Sequence, residues 1–151
     1  MSRRRPSGKI VVDANIVLSA LRGRRTLHYL ESSAVRRVVC TTEHVRLEVF
    51  AVLDQIDPGP RARRAADDLF GKLFAASPEQ YLELMPAAAS RLARAPASGN
   101  GSPRDAHILA LAWTLEADIW SHDRDYAGTG WPSWSSANLI AALADETAAE
   151  S

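Results

Sequence analysis

Four short stretches of this chain each set a carboxylate where a buried run begins or ends. Asp13 follows the apolar β-formers Ile10-Val11-Val12 and precedes a helix-like run. Asp123 and Asp125 follow Ala117-Asp118-Ile119-Trp120-Ser121, and Asp105 stands at the head of the most apolar helical stretch, through Glu116. Glu48 shares a helical segment with Val45, Val49, Val52 and Ile56; at about 100° per residue it falls about 60° to one side of Val45, on the shoulder of the apolar stripe. Each acid has a plain structural explanation. Asp13 suits a helix N-cap, Asp105 the positive end of a helix dipole, Asp123 and Asp125 a turn, and Glu48 a solvated face. Together they ask for more. Carboxylates brought close raise one another's pKa, and burial raises it further. The compensation that oxygen donors call for is a hard divalent cation, Mg²⁺ or Mn²⁺. His107 and His122 are the softer alternatives, but Cys40 is the single cysteine, so a thiolate zinc site is excluded.

The elements that must position these acids alternate. Strands are expected at 10–12, 37–41, 117–121 and 131–134. Helices are expected near 14–21, 26–33, 42–53, 61–75 and 79–95, then from the Ser102-Pro103 start to Glu116, and near 137–144 behind Ser135 or Ser136. Pro132 puts the last strand at an edge. Helices interleaved with short strands imply a parallel sheet covered on both faces, a three-layer α/β/α arrangement. In such sheets ligands bind at the carboxyl ends of the strands. Asp13, Asp105, Asp123 and Asp125 all map to that edge, and the helix of Glu48 starts near it.

A chain of 151 residues with balanced charge reads as one domain, 9–144, between a basic tail at 1–8 and a second tail at 145–151. Zero net charge removes any overall basic field toward nucleic acid. All but Lys9 and Lys72 of the 18 positive residues are arginine, the side chain whose planar fork suits phosphate. No apolar run reaches the roughly eighteen residues of a membrane span, and the basic opening is not followed by a signal-peptide core. A cytoplasmic protein is expected, and the lone cysteine fits a reducing interior.

In order, Val-Val-Asp-Ala-Asn, a helical Glu, Arg-Asp-Ala-His-Ile-Leu-Ala-Leu-Ala and Ile-Trp-Ser-His-Asp-Arg-Asp-Tyr resemble the PIN-domain nucleases, over nearly all of residues 9–143. The resemblance implies a parallel sheet of four to five strands with acids at its carboxyl edge holding Mg²⁺ or Mn²⁺. It also implies cleavage of RNA, a homodimer and, as in VapC-type toxins, a small antitoxin partner. Asp13, Glu48, Asp105 and Asp123 match the family's catalytic acids, with Glu43 on the same helix as the other candidate glutamate. Ser121 stands where the family usually has Thr, and Tyr126 where Phe is usual. On this reading Asp13, Asp105 and Asp123 bind the ion, with Glu48 and Asp125 completing the shell through water or a second ion. Glu48 or Asp105 takes a proton from the attacking water, while Asn15 and Ser121 orient carboxylates. Arg22, Arg24, Arg25, Arg104 and Arg124 are the candidates for RNA phosphates.

Two rival readings come from other classes. One is a catalytically silent PIN fold that binds RNA or protein. The other, a phospho-acceptor signalling domain, needs a lysine after a late strand, and none follows Lys72. The absence of a Walker A pattern excludes nucleotide hydrolysis by that route.

Overall fold

Ile10, Val11 and Val12 are fully buried, as a run apolar on both sides must be, because the sheet it joins is covered on both faces. In the computed structural model, which describes residues 4–94 and 105–150, they form β1 (Lys9–Val12), the centre of a five-stranded sheet. Its partners are β2 (Val38–Thr42), β3 (Phe74–Ala76), β4 (Asp118–Trp120) and β5 (Ser133–Trp134). The order is β3-β2-β1-β4-β5 and every pairing is parallel. Val11 lies beside Cys40 on one side, and Val12 beside Trp120 on the other. The chain leaves β1 toward β2 and later returns to its opposite side with β4. Such a reversal of strand order opens a crevice at the carboxyl ends, here between Asp13 and Ser121.

Eight α-helices cover the faces among the described residues: α1 (Ala14–Arg22), α2 (Arg24–Arg36), α3 (Glu43–Ile56), α4 (Pro60–Phe70), α5 (Met85–Ala93), α6 (Ala106–Leu115), α7 (Arg124–Ala127) and α8 (Ser136–Glu150). α6 is buried along its first two turns, Ala106 to Ala112, which fits a helix that reads as apolar all round. It ends at Glu116, whose left-handed φ of 53° turns the chain into β4. Thr42 caps α3 by accepting from the Val45 amide at 3.0 Å, and Ser135 accepts from the Asn138 amide at 3.2 Å at the head of α8. No helix among the described residues is long and apolar enough to cross a membrane.

The expected three-layer α/β/α fold with a central parallel sheet is the fold observed, and four of the five strands fall where the sequence places them. The fifth was not anticipated. α4 stops at Phe70, not 75, and Phe74-Ala75-Ala76 forms β3 against β2. Two alanines carry little intrinsic strand preference, so the pairing comes from tertiary context. The stretch from 79 begins as 3₁₀ turns, and α-helix starts only at Met85. The expected Ser102-Pro103 helix start lies outside the described residues.

Both chain ends make contacts with the body of the fold. α8 continues to Glu150, through alanines and acids that favour helix, and Glu146 pairs with Arg37. At the other end Pro6 is buried. The Ser7 amide donates to Asp118 Oδ2 at 3.0 Å, Arg37 Nε donates to the Ser7 carbonyl at 2.9 Å, and the Arg4 guanidinium lies 4.1 Å from the centre of a Trp134 ring. Residues 4–8 are therefore tied to the amino edge of the sheet.

Candidate active site

Asp13 leaves β1 with its carboxylate buried, 7% exposed. It does cap a helix: Oδ1 accepts from the Ile16 amide at 3.1 Å. Capping does not exhaust it. Oδ2 accepts from the Ser121 hydroxyl, and Ser121 Oγ in turn accepts from the Asp123 amide at 2.9 Å. One hydroxyl thus joins the acid after β1 to the acid after β4. Asp123 repeats the pattern, its Oδ1 capping α7 through the Asp125 amide at 2.9 Å. Burial raises the pKa of both Asp13 and Asp123, against the lowering effect of these hydrogen bonds.

Asp105 behaves differently. It occupies the N-cap position of α6, yet its side chain caps nothing. Burial pushes its carboxyl up to about 6, and the charges of Asp123, Asp13, Glu48 and Asp125 push in the same direction. A second group senses the same acids. The Tyr126 hydroxyl, buried and donating to the Asp105 carbonyl at 3.3 Å, is held well above its usual pKa by burial and by Asp105, Asp13, Asp123 and Asp125. Acids from the ends of β1 and β4 and from α3 and α6 therefore share one electrostatic neighbourhood. Among the described residues, no arginine or lysine forms an ion pair with Asp13, Glu48, Asp105 or Asp123.

The two candidate glutamates separate. Glu43 pairs with Arg46 at 3.1 Å, whereas Glu48 is exposed, forms no such pair and bears on Asp105. Of the two, Glu48 is therefore the one near enough to Asp105 to act on its carboxyl. His107 does not join the acids: it is buried, its Nδ1 is 2.9 Å from Thr42 Oγ1, its ring centre is 4.3 Å from that of His44, and burial holds its pKa down at about 4. His122 is exposed and close enough to lower the pKa of Asp13. Asn15 is exposed and its side chain makes no hydrogen bond among the described residues, so it orients no carboxylate here.

The arginines scatter. Arg25 and His122 line one cleft, and Arg124 stands exposed between Asp123 and Asp125. Arg22 lines a different cleft with Leu18, Leu53 and Ala62, and Arg24 borders another along α2. Arg104 lies outside the described residues. The role of Tyr126 as a tie between α7 and the head of α6 was not read from the sequence; its place three residues after Asp123, within a helical turn, is the signal that carries it.

Among the described residues, no group of three Asp, Glu, His or Cys side chains is closed around one point as a metal cage is. In kind, however, the donors fit a hard divalent ion. They are carboxylates alone, Asp13, Glu48, Asp105 and Asp123 have no paired guanidinium among the described residues, and each bonded oxygen of Asp13 and Asp123 keeps a further lone pair. Asp105 and Glu48 make no side-chain hydrogen bond among the described residues, so their carboxylates are free to turn inward.

A family model described as the PIN domain matches residues 11–144. No curated protein sequence matches the chain. Among solved structures, VapBC2 from Rickettsia felis, bound to a DNA fragment from its promoter, aligns with a TM-score of 0.69 at 12% identity, covering 84% of this chain and 98% of that one. VapC20 of Mycobacterium tuberculosis, described as a sarcin-ricin loop cleaving toxin, aligns with a TM-score of 0.59 at 22% identity, over 81% of this chain and 95% of that one. FitAB bound to an IR36 DNA fragment gives 0.59 at 15% identity, over 83% and 94%. At these identities the structures speak for the fold.

Proposed function

The chain belongs to the PIN-domain family, and we propose that it is a Mg²⁺- or Mn²⁺-dependent endoribonuclease, the toxin of a toxin–antitoxin pair. The observation that carries the reading is that Asp13, Glu48, Asp123 and Asp125 all act on the carboxyl of Asp105, at the crevice where strand order reverses, with no arginine or lysine paired to Asp13, Glu48, Asp105 or Asp123 among the described residues. The toxin assignment draws support from likeness in fold to VapBC2, VapC20 and FitAB. On that likeness we further propose a small antitoxin, a homodimer and a cytoplasmic site of action.

Asp13, Asp105 and Asp123 would hold the ion, with Asp125 completing the set. An ion held there would supply Lewis-acid activation of the attacking water and would offset negative charge at the phosphate. The chain's own residues do the rest. Ser121 fixes Asp13 and Asp123 in register through one hydroxyl. Tyr126 holds the head of α6 against α7 and so sets Asp105 beside the other acids. Glu48, reaching in from α3, or Asp105 takes the proton of the attacking water on a carboxylate oxygen. Arg25 and Arg124 flank the acids and offer guanidinium groups to backbone phosphates.

The test is cleavage of single-stranded RNA by the purified chain with Mn²⁺, repeated after EDTA. Cleavage that stops on chelation and is lost in Asp13→Asn supports the reading. Binding of RNA without cleavage under either condition would make the chain a binding module instead.

A further inference from the structure

Beside the acidic crevice lies a cleft of about 280 Å³, lined by Arg25, Tyr29, Trp120, His122, Ser136 and Ile140 among others. We propose that it is a subsite for one unstacked nucleotide of the substrate, its base against Tyr29 and its phosphate on Arg25. The inference rests on the nuclease reading and adds where the strand next to the cut is held.

The end of β4 makes the two sites neighbours, since His122 is near enough to Asp13 to act on its carboxyl. Ser121 turns to Asp13, while Trp120 and His122, on either side of it, turn to the cleft. A strand crossing the acids therefore meets the cleft one residue away. Trp120 is fully buried and forms the floor; its indole Nε1 donates to Ser136 Oγ at 2.9 Å, and Ser136 Oγ lies 3.4 Å from His122 Nε2. The floor is thus held by its own hydrogen bonds. Above it are a partly exposed tyrosine ring and an exposed guanidinium that has no ion pair among the described residues.

The lining suits an anion with a flat apolar part. It contains no acid, in contrast to the crevice next door, so a phosphate is accepted here without a bound cation. Single-stranded RNA is recognised by splaying out bases and stacking them on aromatic rings, with arginine on the backbone. The volume is close to the lower end of small-molecule sites, about 300 Å³, which admits one nucleotide and excludes a duplex.

The experiment titrates each of the four nucleoside 5′-monophosphates into the full chain with EDTA present, following the Trp120 indole and Tyr29 ring resonances by NMR. At least one nucleotide should give saturable shifts in both. Binding should weaken about tenfold or more in Arg25→Ala and in Tyr29→Leu, and stay unchanged in Glu43→Gln, whose side chain pairs with Arg46 outside the cleft. Arg25 is exposed, so its variant keeps the fold even if Tyr29→Leu does not. Silence with all four nucleotides, or equal shifts with inorganic phosphate alone, overturns the proposal. Nucleotide binding without RNA cleavage under Mn²⁺ keeps the subsite and removes the nuclease reading; cleavage without nucleotide binding does the reverse.

Discussion

The hydroxyl of Ser121 donates to Oδ2 of Asp13, across the two parallel strands that flank the reversal of strand order. Burial raises the pKa of Asp13, and this hydrogen bond is the largest effect opposing it. Ser121→Ala should therefore leave Asp13 harder to ionise. The acid limb of the pH–rate profile should move up by about one pH unit, the scale of a charged hydrogen bond. Ser121→Thr, which keeps the hydroxyl, should leave the profile in place. Identical profiles for wild type and Ser121→Ala would remove Ser121 from the account.

Asp105 links pH to stability. Its carboxyl ionises near 6 in the fold against an ordinary 3.8, so the folded state holds this proton more tightly than the unfolded chain. That contribution is complete below about pH 3.8 and is lost as pH rises through about 6. Above that, the ionised group opposes folding. Asp105→Asn should stabilise the metal-free protein at about pH 7.5 by about 1 kcal/mol, a figure reduced from the bare shift because the side chain is only half-buried. The gain should vanish near pH 3.5. Urea unfolding in EDTA at the two pH values measures both.

Glu48 and Glu43 make a matched pair of controls on one helix. Glu48→Gln should lower kcat by about a hundredfold, the usual scale for a general base. Glu43→Gln breaks only the pair with Arg46 and should leave kcat within about twofold, since half-exposed ion pairs contribute about 0–1 kcal/mol. Equal losses in the two variants would contradict the assignment.

The amino-terminal residues should contribute to stability. Without residues 1–7, buried Asp118 keeps the Trp134 indole at 2.8 Å but loses the Ser7 amide and the Arg4 guanidinium 4.0 Å away. Losing such partners from a buried carboxylate costs about 1–3 kcal/mol. Thermal unfolding of the truncated chain should show the loss, and RNA cleavage at low temperature should persist, because these contacts sit at the opposite end of the sheet from the acids.

How far the residues alone reach depends on the range of the forces involved. β1 and β4 were legible because apolar runs covered on both faces need no further context, and the caps at Asp13 and Thr42 are made within three residues. β3 was not legible: Phe74-Ala75-Ala76 has no pattern of its own and pairs only because β2 lies alongside. The acids themselves were recognisable by type and by place at strand ends. Which glutamate faces Asp105 was not, since that turns on Glu43 finding Arg46 one helical turn away. The contacts at the chain ends were not legible for a related reason. Pro6, Ser7 and Arg37 meet only once the sheet exists, and nothing local at residue 4 announces that Trp134 will lie beneath it.

Asp13, Asp105 and Asp123 are proposed to form one divalent-ion site. Calorimetric titration of Mn²⁺ into wild type, Asp13→Asn and Asp105→Asn tests it without needing to know the RNA. If the acids share one ion, the wild type binds Mn²⁺ saturably and each variant binds at least about tenfold more weakly. The same affinity in all three proteins would contradict it.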